Sequence, residues 1–323
     1  MASQDIVKKV ENVEILSLMD NTLDFLSTIP RKEVLTVQKW VRKQKGEKWV
    51  EKNFRLPFAE HGFSMLIRIF DKSKTHTILF DTGISPKGVV KNAQGMGAGL
   101  SEVESIIISH GHIDHFGGLI EVVKAIDKQD LPIIVHKDVF KTRGKEDNGK
   151  VRKYPDFPKE SQVKPARYVK IKQPHLIAQN AAAATGEIPR KTSWEKGYSK
   201  HRVFVEGGWQ PEPWIWDDQA LVINVKNKGI IVITGCAHAG IINTINYAQK
   251  IAQTETVYAI FGGFHLAGEE FEPRIKETVE ALKQFNPKLV APSHCTGWKA
   301  IHAIAEAFPK AFVWNSVGNL YKL

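Results

Sequence analysis

The stretch SIIISHGHIDHFGGL, residues 105–119, constrains this chain more than any other. An apolar run of strand length ends in His110, His112, Asp114 and His115. It then gives way to GGLIEVVKAI, whose apolar residues have helical spacing. In an extended segment, residues two apart face the same side, so His110 and His112 can aim both imidazoles at one point beyond the strand. Asp114 and His115 follow where the chain turns into the helix, and they can reach a second point nearby. Two imidazoles do not close a tetrahedral metal site. The remaining donors must come from segments distant in sequence.

The second half of the chain offers them. ALVINVKNKGIIVITGCAH reads as two strands around an Asn-Lys-Gly turn, and TVYAIFGGFHL, KLVAPSHCTG and AFVWNSVG read as three more. Between them lie helical segments, INTINYAQKIA, EPRIKETVEALKQF and WKAIHAIAEAF. The second of these carries Ile275, Val279, Leu282 and Phe285 on one face. Three of the strands run into a histidine: His238, His265 and His294. Strand carboxyl ends are where layered α/β folds place their chemistry. His238 and His294 are therefore expected to complete the ligand set, and His265 to face substrate or support a ligand. Imidazole and carboxylate together suit Zn²⁺, and also Fe or Mn. In LFDTG, Asp81 stands at a strand end where its carboxylate could accept an N–H from a ligand histidine and fix its tautomer. His61, in AEHGFS, is a candidate substrate contact. His76, His136, His175, His201 and His302 read as surface or helix residues.

GFSMLIRIF, THTILFDTG and LPIIVH add further strands to the first half. Residues 137–212 differ, being rich in Lys, Pro and Gly with weak periodicity. They read as an insertion or lid on one domain spanning 1–323. Two cysteines, Cys236 and Cys295, are too few for a disulfide framework. Cys295 reads as a small buried residue, and Cys236 as either that or a soft metal ligand. The start of the chain lacks the apolar core of a secretory signal and no apolar run is long enough for a membrane span, so a cytoplasmic protein is expected. The formal net charge is +10, concentrated in 31–55 and 136–172. This reads first as a lysine-rich solvated surface and second as a field that attracts anions. No RNA-binding signature or zinc-finger spacing supports a nucleic-acid partner specifically.

At HGHIDHFGGL, LFDTG and NPKLVAPSHCTG the chain resembles the metallo-β-lactamase-fold hydrolase superfamily. ILSLMDN, AEHGFSMLI, TGEIPR, DDQAL, TGCAHAGIINT and FGGFHL resemble one branch of it, the 7,8-dihydropterin-6-methyl-4-(β-D-ribofuranosyl)aminobenzene 5′-phosphate synthase-like proteins. The resemblance spans residues 14–297. It implies an α/β fold, a four-layer αββα sandwich, with two divalent metal ions at one edge of its sheets. His110, His112 and His238 would hold one ion, and Asp114, His115 and His294 the other. Asp114 and His265 are the candidate catalytic residues, Asp81 and Cys236 support the ligands, and Arg190 and His61 are candidate substrate contacts. The superfamily usually bridges its metals with an Asp where this chain has Cys236, so a hydroxide alone is expected to fill the bridge. The reaction this implies is attack of that hydroxide on a small anionic phosphoester or phosphodiester, or on a lactone. Alternatives are the pterin-condensing synthase of the branch's label, a nucleic-acid phosphodiesterase and a non-catalytic binding protein. The irregular stretch is also a candidate homodimer contact.

Overall fold

The computed structural model describes residues 7–323. Among the described residues, one sheet has eight strands, in the order Arg167–Ile171, Pro132–His136, Ser105–Ile107, Lys74–Phe80, Ser64–Asp71, Asn12–Met19, Leu320–Lys322 and Val34–Leu35. A second has seven: His175–Ile177, Ala182–Ala184, Ala220–Val225, Gly229–Thr234, Val257–Gly263 and Leu289–Ser293 in order, with Lys9–Val10 paired to Ala220–Val225.

Strand periodicity divides the apolar residues between layers. Leu221 and Ile223 point into a core shared with Ile67, Ile78, Phe80 and Ile107 of the other sheet. Their neighbours Ala220 and Val222 face the opposite way, onto helices Ile241–Ala252, Ile275–Gln284 and Trp298–Ala307. Leu66, Leu79 and Ile106 likewise pack outward against helices Val37–Lys45, Gly88–Met96 and Leu119–Ile126. Three apolar interfaces between four layers make the αββα sandwich. Each fully buried large side chain in them, Phe80 or Phe261 for example, contributes roughly 1.5–3 kcal/mol relative to exposure.

Both sheets have a parallel run. Lys74–Phe80, Ser105–Ile107 and Pro132–His136 are parallel in one, and Gly229–Thr234, Val257–Gly263 and Leu289–Ser293 in the other. Parallel strands deliver their carboxyl ends to one edge, which is why Asp81, His110, His238, His265 and His294 converge.

Three sequence expectations differ from the structure. AFVWNSVG is not a strand: Phe312 makes only an isolated bridge to Val290, and the last strand is Leu320–Lys322. Asn315 donates instead to Ser17 Oγ and Asp20 Oδ2, at 3.1 and 2.7 Å, and these bonds draw the chain out of the sheet. The stretch 137–212 supplies Arg167–Ile171, His175–Ile177 and Ala182–Ala184 to the two large sheets. Only Arg143–Asp147, Lys150–Lys153, His201–Val205 and Gly208–Pro211 form a separate small sheet. The Lys- and Pro-rich connections between these short strands hide their alternation. His76, His136 and His201 are buried rather than on the surface. His76 Nδ1 lies 2.8 Å from Glu104, and His136 Nδ1 accepts the Asp138 N–H at 3.2 Å. His175 is half-buried and His302 exposed.

In the basic segment 31–55, Val37, Trp40 and Val41 are buried while Lys39, Arg42, Lys43, Lys45 and Lys48 face solvent. Among the described residues, no helix is long and apolar enough to cross a membrane.

Candidate metal centre

Ser105–Ile107 ends on Ser109, whose N–H and hydroxyl both donate to Asp81, to Oδ1 and Oδ2 at 2.7 Å each. Asp81 Oδ2 also accepts the Nδ1–H of His115 at 2.7 Å. This buried carboxylate fixes the His115 ring so that Nε2 faces Cys236 Sγ at 3.2 Å. Beside it, Asp114 Oδ2 lies 3.1 Å from His294 Nε2 and 3.6 Å from both His115 Nε2 and His61 Nε2. His61 stacks on His294, with ring centroids 4.7 Å apart, and its side chain is 64% exposed at the mouth of the site. On the other side His110, His112 and His238 meet with ring centroids 4.6–4.9 Å apart. His265 packs against His238 at 4.1 Å.

The backbone at this edge is unusual. Asp81, Ala237, His265 and His294 have φ of 57°, 53°, 47° and 50°. Left-handed non-glycine residues persist only where their surroundings over-determine them, and such positions cluster at functional sites. Gly235 is needed for a different reason: a Cβ there would meet Ser109 Oγ at 2.1 Å and Asp81 Oδ2 at 2.9 Å. The two sheets touch at that point.

Several parts of the centre carried no functional reading in the sequence. Asp217, Asp218 and Gln219 clamp both histidine loops. Asp217 Oδ2 accepts the Gly111 N–H at 2.8 Å, Asp218 Oδ2 accepts the Ala239 N–H at 2.8 Å, and the Gln219 amide donates to Ile108 O at 2.8 Å. The small sheet brings His201 over the site, 5.4 Å from the His112 ring and 5.9 Å from His238. Tyr154 and Tyr198 flank these histidines. One signal was available, the Glu-Gly-Gly between VFV and WQP, which is hairpin chemistry; Glu206 and Gly207 take φ of 50° and 84° there.

The small sheet is fastened by Arg143. Its Nε donates to Glu212 Oε2 at 2.7 Å, and its Nη2 lies 2.8 Å from Asp217 Oδ1 in an ion pair without hydrogen-bond alignment. All three are buried. Arg143→Met takes the ion-pair partner from buried Asp217 and leaves Glu212 with Lys141 alone, at 3.3 Å, and a loss of about 3 kcal/mol in urea unfolding is expected. Arg190 has a structural engagement: its guanidinium donates to Ile188 O and Ile215 O and lies over the Trp214 and Trp216 rings. Backbone carbonyls and indoles occupy the group that the sequence suggested for substrate.

The donor set fits divalent cations. Among the described residues, three groups place one donor atom per residue within 4.8 Å of one another: Asp114, His115, Cys236 and His294; His110, Cys236 and His238; and Cys236, His265 and Cys295. His112 Nε2 and His238 Nε2 are buried without a hydrogen-bond partner, which costs free energy unless something else takes the lone pair. Burial holds His112 down to about 3, and His110 and His238 well below their usual range, so these imidazoles are neutral at pH 7. Burial opposes a proton on His115 as well, but Asp114 and Asp81 outweigh it and push that ring up to about 9. Surplus negative charge of this kind favours a cation, whose binding releases the proton.

The comparisons agree with this architecture. Residues 58–248 match the family model described as the metallo-beta-lactamase superfamily. The chain is 31% identical, over 83% of its length and 92% of the relative's, to the 7,8-dihydropterin-6-methyl-4-(beta-D-ribofuranosyl)-aminobenzene-5'-phosphate synthase of Methanocaldococcus jannaschii. An uncharacterised protein of the same organism is also 31% identical, over 81% of this chain and 93% of that one. A solved metal-dependent hydrolase of the beta-lactamase superfamily superimposes with a TM-score of 0.68 at 23% identity, covering 96% of this chain and 98% of that one. With two sheets delivering one histidine-rich edge and a family match over more than half its length, this chain belongs to the metallo-β-lactamase superfamily.

Proposed function

We propose that the protein is a hydrolase that uses two divalent cations, Zn²⁺ in the first place, on a small anionic phosphoester or phosphodiester, with lactones as secondary substrates. The observation that carries this reading is the pair of adjoining donor groups, one of Asp114, His115, Cys236 and His294 and one of His110, Cys236 and His238, with the His112 ring 4.9 Å from that of His238 and the Nε2 atoms of both buried without a partner. When bound, such cations lower the pKa of a water and stabilise charge on the oxygens of the transition state. The chain's own groups do the rest. Asp114 would bind a cation and orient the nucleophile. Asp81 holds the His115 tautomer through its 2.7 Å bond. His265, Tyr198 and Lys200 line a cleft of ≈ 380 Å³, together with Glu269 and Glu270. The +10 net charge favours an anionic substrate at long range. His201, with a buried and unpartnered Nδ1, is held down to about 2 by burial, so it stays neutral and would line the site without protonating the leaving group.

A second reading rests on the 31% identity to the M. jannaschii synthase. In it the same residues would hold cations that bind a pyrophosphate leaving group on a pterin, which an aminobenzene ribose phosphate would displace. One experiment separates the two. Metal-quantified protein is assayed on phosphomonoesters, phosphodiesters, lactones and a β-lactam, and in parallel for pyrophosphate release from a pterin diphosphate with the aminobenzene partner. Ester turnover that disappears with chelator supports the hydrolase. Partner-dependent pyrophosphate release without ester turnover overturns it in favour of the synthase.

A further inference from the structure

We propose that the Cys236 thiolate is the ligand shared by both cations, so that sulfur rather than a carboxylate joins the two halves of the centre; this rests on the two-cation reading above. Cys236 is the one residue common to the donor groups found among the described residues. On one side its Sγ is 3.2 Å from His115 Nε2, in the group with Asp114 and His294. On the other it joins His110 and His238. A donor atom within reach of two separate ligand sets is where one side chain can serve both ions. Asp81 cannot do so, because its oxygens are taken up by Ser109 and His115 Nδ1, on the far side of the His115 ring. Cys295 is the rival sulfur. It enters only the group with Cys236 and His265, and its Sγ lies 3.5 Å from Cys236 O.

The consequence is metal choice. Thiolate is a soft ligand that suits Zn²⁺ and disfavours Mn²⁺, whereas an all-imidazole and carboxylate centre accepts both. The structure thus assigns a preference for the softer ion to one side chain.

The test is a titration of metal-free protein with Co²⁺, reading the near-ultraviolet thiolate-to-cobalt charge-transfer band. One thiolate touching two ions makes the band grow through both the first and the second equivalent. The band should vanish in Cys236→Ser and persist in Cys295→Ser. Cys236→Asp should still take two equivalents, without the band, and should bind Mn²⁺ at least about tenfold more tightly than the parent does. Saturation at one equivalent, survival of the band in Cys236→Ser, or its loss in Cys295→Ser overturns the proposal. Saturation at one equivalent in the unaltered protein overturns the proposal even if a variant fails to fold, and growth through two equivalents in Cys295→Ser excludes one thiolate per ion. A protein that shows the two-equivalent band but turns over no ester refutes the hydrolase reading and leaves the shared thiolate standing.

Discussion

His112→Ala is expected to lower turnover by about 10³-fold or more while leaving the fold intact. A bound dication supplies several kcal/mol of transition-state stabilisation, and each 1.36 kcal/mol is tenfold in rate. His112 is one of three rings that meet on its side of the centre, and its Nε2 has no other partner. Its removal therefore leaves His110 and His238 without a third imidazole. Metal content, measured after dialysis, should fall with activity, and circular dichroism should remain that of the parent. His76→Ala is the control, since it also removes a buried histidine, one that pairs with Glu104 away from the centre. That variant should keep both metal and turnover. Full activity in His112→Ala would mean that the reaction takes place somewhere else.

The largest effect on stability is expected from Gly262→Ala. Gly262 has φ +107°, and a Cβ there would stand 1.9 Å from Thr234 O, the backbone of the adjacent parallel strand. Neither atom can yield without breaking the pairing of Gly229–Thr234 with Val257–Gly263, the strands that lead to Cys236, His238 and His265. Strain and overlap together place the cost at about 4 kcal/mol or more. Gly149 provides the contrast, with φ +75° and nothing within 4 Å of the Cβ position. Gly149→Ala meets only the left-handed backbone penalty, about 1–2 kcal/mol. Urea unfolding of the two variants separates the contributions, and equal costs would show that the contact with Thr234 O is relieved by strand movement.

How much of the centre could be read in advance depended on how local the signal was. HGHIDH declared itself because four donors within six residues, after an apolar strand, have few other uses. Asp81 was legible for the same reason, as a carboxylate at a strand end. His201 was not, because it follows a polar, weakly periodic segment and its partners, His112 and Tyr198, lie on other elements. Arg190 looks available in the sequence, whereas in the fold its guanidinium donates to two carbonyls and lies over two indoles.

By itself, the sequence determined the layered α/β class and the short segments on which the candidate donors stand, since hydrophobic period and residue type are properties of short segments. Tertiary structure alone decided which strand ends share an edge, which donors fall within 4.8 Å of Cys236, and that a small third sheet closes over His112. Those outcomes depend on the parallel pairing of distant strands and on the buried Arg143 ion pairs, and no window of neighbouring residues encodes a distance between segments a hundred positions apart.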